Sequence, residues 1–155
     1  MIAELSDVTL TVTVADCLPI FLVDTVTGAF GLVHSGWKGT GIVVDAVAAM
    51  TARFGTRPQD VVATIGPGIG ACCYRVPEER AALFAERFGA AAVTRDLGPE
   101  PRLDLRAANA ALLREAGVSE IGVVTECACC SPRLGSFRRQ GPESYTLMCA
   151  FLARA

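Results

Sequence analysis

Cys17 and His34, the only histidine of the chain, fall in adjacent apolar runs of the stretch TVTVADCLPIFLVDTVTGAFGLVHSGWKGT, residues 11–40. A thiol beside an imidazole supports two chemistries. The imidazole accepts the thiol proton, or stabilises the thiolate as imidazolium, and so creates a nucleophile. Alternatively both side chains bind a transition metal; Zn2+ suits mixed nitrogen and sulfur coordination and activates a water. Each residue also has an ordinary reading, since a free cysteine is a small hydrophobe and a histidine can be a satisfied core residue. The HSGWKG run shifts the balance toward a site, because glycine lets backbone approach a ligand and Trp37 offers a stacking surface.

The elements around the pair decide whether it can form. Val8–Val14 alternates apolar residues with Thr9, Thr11 and Thr13, the period of a strand with one polar face. Leu18–Val23 reads as a buried strand, residues 24–28 as a turn, and Phe30–His34 as a third strand. Antiparallel pairing about Val26–Thr27 puts His34 opposite Pro19, with Cys17 one diagonal step away on the same face. Such neighbours lie roughly 7–8 Å apart, within side-chain reach. A slip of one residue would send them to opposite faces.

Further along, a helix runs from about Gly41 to Phe54 with Val43, Val47 and Met50 on one face, and stops at Gly55. Val61–Ile65 is a strand. A second helix opens at Pro77, with two acids in its first turn, and ends at Phe88. Val93–Arg102 reads as an irregular connection. Asp104 caps a helix over Leu105–Ala116, Ile121–Thr125 is a strand, and Tyr145–Leu152 is the last one. Without a regular βαβ rhythm, this predicts a single domain over residues 1–155, α/β in the broad sense or α+β, with a mixed sheet flanked by helices.

Other candidates for chemistry are fewer. Residues 66–71, GPGIGA, fit a glycine-rich dinucleotide pattern formally. No helix opens directly after them, so a Rossmann site is rejected, leaving an anion-facing loop or a simple tight turn. Arg138 and Arg139 are a candidate bidentate clamp for phosphate or carboxylate, against the alternative of a solvated pair. Asn109 and Asp45 are assigned to helix surface. The seven cysteines, with no export signal, are expected to be reduced. Their spacings, Cys72-Cys73 and Cys127-x-Cys129-Cys130, do not form two CxxC knuckles, so no structural zinc ribbon is expected.

Composition excludes several classes. At 155 residues and a net charge of −2, with no basic tract beyond Arg138-Arg139, the chain does not look like a nucleic-acid binder. No apolar run approaches the ~20 residues needed to span a bilayer, and no signal-peptide pattern opens the chain. A soluble cytoplasmic protein with no membrane partner is expected. The hydrophobic fraction of 52% and mean hydropathy of +0.42 are high for a soluble domain. The surplus implies an oligomer, or a core covered by segments outside this chain.

Five ordered motifs then carry a resemblance over nearly the whole chain: VADCLPIFLVD, HSGWKGT, GPGIGACCYRV, LDLRAANAALLREAGV and GSFRRQG. The chain resembles the multicopper polyphenol oxidase or laccase-domain family, also called YfiH-like or peptidoglycan-editing-factor, whose usual forms are TADC, HxGWRG, GPxIGxCCYxV, LDLxxAN and FSxRRDG. Val14, Lys38 and Gln140 depart from those forms, and Lys38 keeps the charge of arginine but not its planar fork.

The resemblance implies a YfiH-like fold, similar to that of a cytotoxic-necrotizing-factor deamidase, and a zinc site, once described as copper. Its cysteine and first histidine match Cys17 and His34. The second histidine belongs to a QxHG motif that this sequence lacks. N-terminal truncation, a ligand from another residue or subunit, and loss of zinc are the three explanations, with truncation favoured. The implied activity is purine nucleoside phosphorolysis of adenosine, inosine or guanosine, with adenosine deamination and methylthioadenosine phosphorolysis beside it. Purine nucleoside and phosphate are then the partners, with Lys38, Arg138 and Arg139 as candidates for the anion. The competing readings are a metal-free Cys–His hydrolase or deamidase, a copper polyphenol oxidase, and a non-catalytic binding fragment.

Overall fold

The strand β3 (Leu18–Asp24) sits at the centre of a computed structural model that describes residues 1–154. It follows β1 (Ile2–Ala3) and β2 (Thr9–Val14), and is joined by a tight turn to β4 (Phe30–Ser35). Then come α1 (Ile42–Phe54), β5 (Val61–Ile65), α2 (Glu78–Phe88), β6 (Val93–Thr94), β7 (Arg102–Leu103) and α3 (Leu105–Glu115). The chain finishes with β8 (Glu120–Val123), α4 (Phe137–Gln140) and β9 (Met148–Ala153). The main sheet has the order β1-β4-β3-β5-β8. Its pairs are antiparallel except β5 with β8, so the sheet is mixed, as expected.

Alternation along β3 divides its side chains between two layers. Leu18, Ile20 and Leu22 are fully buried in the larger core with α1 and α3, where Val43, Val47, Met50, Leu105 and Leu113 meet them. Phe21 and Val23 point the other way, toward a smaller cluster of Leu10, Phe30 and Leu32. That second face is covered by a separate antiparallel ribbon, β2 with β9. Helices on one face and a two-stranded ribbon on the other make the fold α+β.

Several boundaries differ from the sequence reading. The last strand begins at Met148, and residues 141–147 turn back before it. The connection expected to be irregular contains the short β6–β7 hairpin, pairing Val93 with Leu103 and Thr94 with Arg102. Asp104 caps α3 as expected, accepting from the Ala107 N–H at 2.9 Å. Asn109 is not on the helix surface: it is fully buried, accepts from Ser35 Oγ at 3.0 Å and donates to the Leu105 carbonyl at 2.7 Å. Its place four residues after Leu105 puts it on the buried stripe. No helix among the described residues is long and apolar enough to cross a membrane.

Candidate functional site

The β3–β4 turn sets the register that brings the cysteine and histidine strands together. Asp24 closes it, accepting from the N–H groups of Val26 and Thr27 and from the Thr27 hydroxyl. Pro19 then pairs with His34 and Leu18 with Ser35, the register expected from the sequence. His34 is exposed on β4, while Cys17, just ahead of β3, is half-buried. Cys17 lies at one side of a cleft of about 280 Å³ whose other walls include Trp37, Tyr74, Arg80, Phe137 and Arg138; His34 is outside that lining.

Backbone strain marks the same place. Among the described residues Asp16 is the one non-glycine residue with positive φ, at 78°. Its Oδ2 accepts from the Arg138 N–H at 2.7 Å, whereas its Oδ1 is buried without a hydrogen-bond partner. Two glycines let the chain pack around Cys17. A Cβ on Gly36 would lie 2.6 Å from the Cys17 sulfur, and one on Gly68 only 2.7 Å from the Asp16 carbonyl oxygen. Burial pushes the Cys17 thiol above its ordinary pKa, and the neighbouring Asp16 charge pushes it further the same way.

The other sequence candidates separate. Arg138 reaches the cleft, stacks over Tyr74 at 5.3 Å, and donates to the carbonyls of Cys73 and Arg75. Arg139 turns inward, where its Nη1 donates to the carbonyls of Ala128, Cys129 and Ser131. Lys38 sits 5.5 Å from the Trp37 ring centroid and lines a different, open cleft at the start of α1. Arg80, which the sequence reading did not single out, stacks on Trp37 at 4.5 Å. A helical spacing from α2 gave no hint of that partner.

The glycine run after β5 faces a sulfur: the Gly70 N–H donates to Cys127 Sγ at 3.2 Å, and the Ile69 N–H to the Asp16 carbonyl at 2.8 Å. Cysteines that form no CxxC knuckles in the sequence nonetheless gather in space. Cys72, Cys73, Cys127 and Cys130 converge with all four sulfurs within 4.8 Å of one another, a group able to hold a metal ion. Burial opposes ionisation of Cys127, but the Gly70 N–H bonded to its sulfur, with the nearby N–H groups of Cys130 and Cys129 and the Cys72 thiol, outweighs it and brings the thiol down to about 7.

For the zinc that the family resemblance implies, Cys17 and His34 offer the right donor types, a thiol and an imidazole at neighbouring strand ends. Among the described residues they gather no third ligand; the cysteine quartet is the only group of three or more.

These features define a mixed-sheet α+β domain with a sulfur-lined, guanidinium-edged cleft. The sequence profile of the family described as multi-copper polyphenol oxidoreductase laccase matches residues 1–153, and the chain belongs to that family. It is 39% identical over 113 residues to the mouse protein named purine nucleoside phosphorylase LACC1, covering 72% of this chain and 26% of the mouse protein. It is 32% identical over 151 residues to the adenosine deaminase RL5 of an unknown prokaryotic organism, covering 93% of this chain and 58% of that protein. The crystal structure of YlmD from Geobacillus stearothermophilus superposes with a TM-score of 0.90 at 32% identity, over 99% of this chain and 59% of that one. The chain thus spans between about a quarter and three-fifths of the length of these relatives.

Proposed function

We propose that the chain carries the cysteine side of a zinc-dependent purine nucleoside phosphorylase site, acting on adenosine, inosine or guanosine with phosphate. The observation that carries this reading is the cleft, which combines a half-buried thiol, flat aromatic walls and two guanidinium groups. Trp37 and Tyr74 provide faces on which a purine stacks. Arg138 and Arg80 provide cations for the phosphate, and Arg forks suit its geometry. Arg139 acts indirectly, by holding the 128–134 loop through its carbonyls. Lys38 lies apart from the cleft and serves the phosphate least directly.

Cys17 and His34 would hold the zinc, with the third ligand contributed from outside these 155 residues or by a second subunit. When bound, Zn2+ supplies Lewis-acid and water-activating chemistry. A raised Cys17 pKa weighs against the metal-free hydrolase, which needs a thiolate at neutral pH, whereas a coordinated thiol is deprotonated outright. The RL5 name favours deamination of adenosine, in which water adds its oxygen at the amino-bearing ring carbon and ammonia leaves to give inosine, as a second reaction at the same cleft.

The test is phosphate-dependent release of hypoxanthine from inosine by the zinc-loaded chain joined to the QxHG-bearing segment of a relative. Cys17→Ala and His34→Ala are expected to lower kcat/KM by at least ~1000-fold, about 4 kcal/mol. Arg138→Ala is expected to raise KM for phosphate at least about tenfold, about 1.4 kcal/mol, close to the lower end of the 1.5–3 kcal/mol of a charged hydrogen bond. Turnover that survives Cys17→Ala unchanged would sink the reading. No turnover in the extended chain would leave the binding-fragment alternative in its place.

A further inference from the structure

The four converging cysteines come from two loops, with Cys72 and Cys130 58 positions apart in sequence. The sheet explains why they meet. Parallel strands β5 and β8 pair Ile65 with Val123, so both chains leave the sheet at the same end and run on side by side. Gly68 bridges Cys127 in parallel fashion, and the Ala128 N–H donates to the Gly68 carbonyl at 2.9 Å. Arg106 from α3 fastens both loops, its Nη2 donating at 2.8 Å to the carbonyls of Gly68 and Glu126.

A tetrahedral shell with metal–sulfur bonds of ~2.3 Å has sulfur–sulfur edges of about 3.8 Å. Here Cys73 and Cys130 are 3.4 Å apart and Cys72 and Cys130 3.7 Å, with every pair inside 4.8 Å. The four sulfurs are within about 1 Å of that shell, and well beyond the ~2.05 Å of a disulfide. Gly70 completes the wall around them. A Cβ there would lie 3.2 Å from Cys72 Sγ, and its N–H donates to Cys127 Sγ, the kind of outer-shell bond that orients a thiolate ligand.

We propose that Cys72, Cys73, Cys127 and Cys130 bind one Zn2+ as a closed tetrathiolate, a structural site separate from Cys17 and His34. Four thiolates with no oxygen donor select a soft or borderline ion over Mg2+ or Ca2+. Four protein ligands leave no open position, so the site is structural and not catalytic. Binding takes up all four cysteines as thiolates and releases to solvent whatever protons they still carry.

The staple fixes the neighbouring cleft. The glycine loop it holds lies against the strained Asp16–Cys17 backbone, through the Ile69 N–H and the close approach of Gly68. Arg138 links both parts, donating from its side chain to the Cys73 carbonyl and from its backbone to Asp16 Oδ2.

The decisive measurement uses the full chain carrying Cys17→Ser, which removes the soft ligand of the other centre. The reduced protein is loaded with zinc, desalted, and examined by metal analysis and zinc X-ray absorption. About one zinc per chain with four sulfurs at ~2.3 Å is expected. In the same background, Cys72→Ser with Cys130→Ser is expected to weaken zinc binding at least ~100-fold, the upper end of what a lost outer-shell partner costs. Should that variant fail to fold, the absorption spectrum of the Cys17→Ser chain decides alone. A zinc-free Cys17→Ser chain, a shell containing nitrogen or oxygen, a Cys73–Cys130 disulfide formed in the presence of zinc, or a folded double variant that retains zinc unchanged each overturns the proposal. Failure of the Cys17–His34 centre leaves all of these results unaffected.

Discussion

The space in front of the Cys17 sulfur is set by one missing methyl group. A Cβ on Gly36 would lie 2.6 Å from that sulfur, and Gly36 is not among the glycines with positive φ, so alanine is sterically costly there without being backbone-strained. Gly36→Ala therefore forces the thiol off its rotamer, a cost on the order of 0.5–1.5 kcal/mol. That corresponds to a loss of up to roughly 2–12-fold in zinc affinity at Cys17, accompanied by a Tm lower by about 2–4 °C per kcal/mol, since the same strain weighs on the folded chain. Zinc protection of Cys17 against iodoacetamide, read by peptide mass, separates this site from the four clustered cysteines. Protection equal to that of the wild type would show that Gly36 has no such role. The same assay without metal should find Cys17 slower than a model thiol at neutral pH, because burial and Asp16 hold it protonated.

At the scale of elements, α3 is tied to β4 by one buried polar contact. Ser35 Oγ donates to Asn109 Oδ1 at 3.0 Å, and both residues are fully buried. Asn109→Leu leaves the hydroxyl without its acceptor and is expected to cost about 1–3 kcal/mol, seen as a lower denaturation midpoint. Adding Ser35→Ala should recover much of that loss, since removing both partners avoids an unsatisfied group. Strictly additive losses would show that the contact is energetically idle. The position of Asn109 was legible from its spacing to Leu105, but a polar side chain at a buried position reads as surface until its partner is known. The register of the β3–β4 hairpin was legible, because two short apolar runs and the turn chemistry of residues 24–28 between them are local signals. The cysteine quartet was not, because it depends on a parallel β5–β8 pairing that no local pattern encodes. Four-residue α4 is too short for periodicity to reveal.

For the whole molecule, stability is organised about β3, whose two faces touch both cores and whose turn to β4 sets the register of the candidate site. Asp24 ends β3 almost fully buried, at 1% exposure. Burial alone would raise its pKa, but the Thr27 hydroxyl and the N–H groups of Thr27 and Val26 outweigh it and hold the carboxyl at about 2, against an ordinary 3.8. A folded-state pKa below the unfolded one means that the unfolded chain binds more protons between the two values. The resulting stability is fully present above pH 3.8 and is lost as pH falls through about 2. At 1.36 kcal/mol per pH unit, this one group contributes roughly 2 kcal/mol at neutral pH. Other carboxylates add to the acid limb, so the informative quantity is the difference between wild type and Asp24→Asn in urea unfolding across pH. The variant is expected to be less stable by roughly 2 kcal/mol near neutral pH, with the gap narrowing below pH 4 and largely closed near pH 2. Two curves that run parallel down to pH 2 would show that the turn carboxylate is not held by its hydrogen bonds, and that the register of β3 against β4 rests on packing alone.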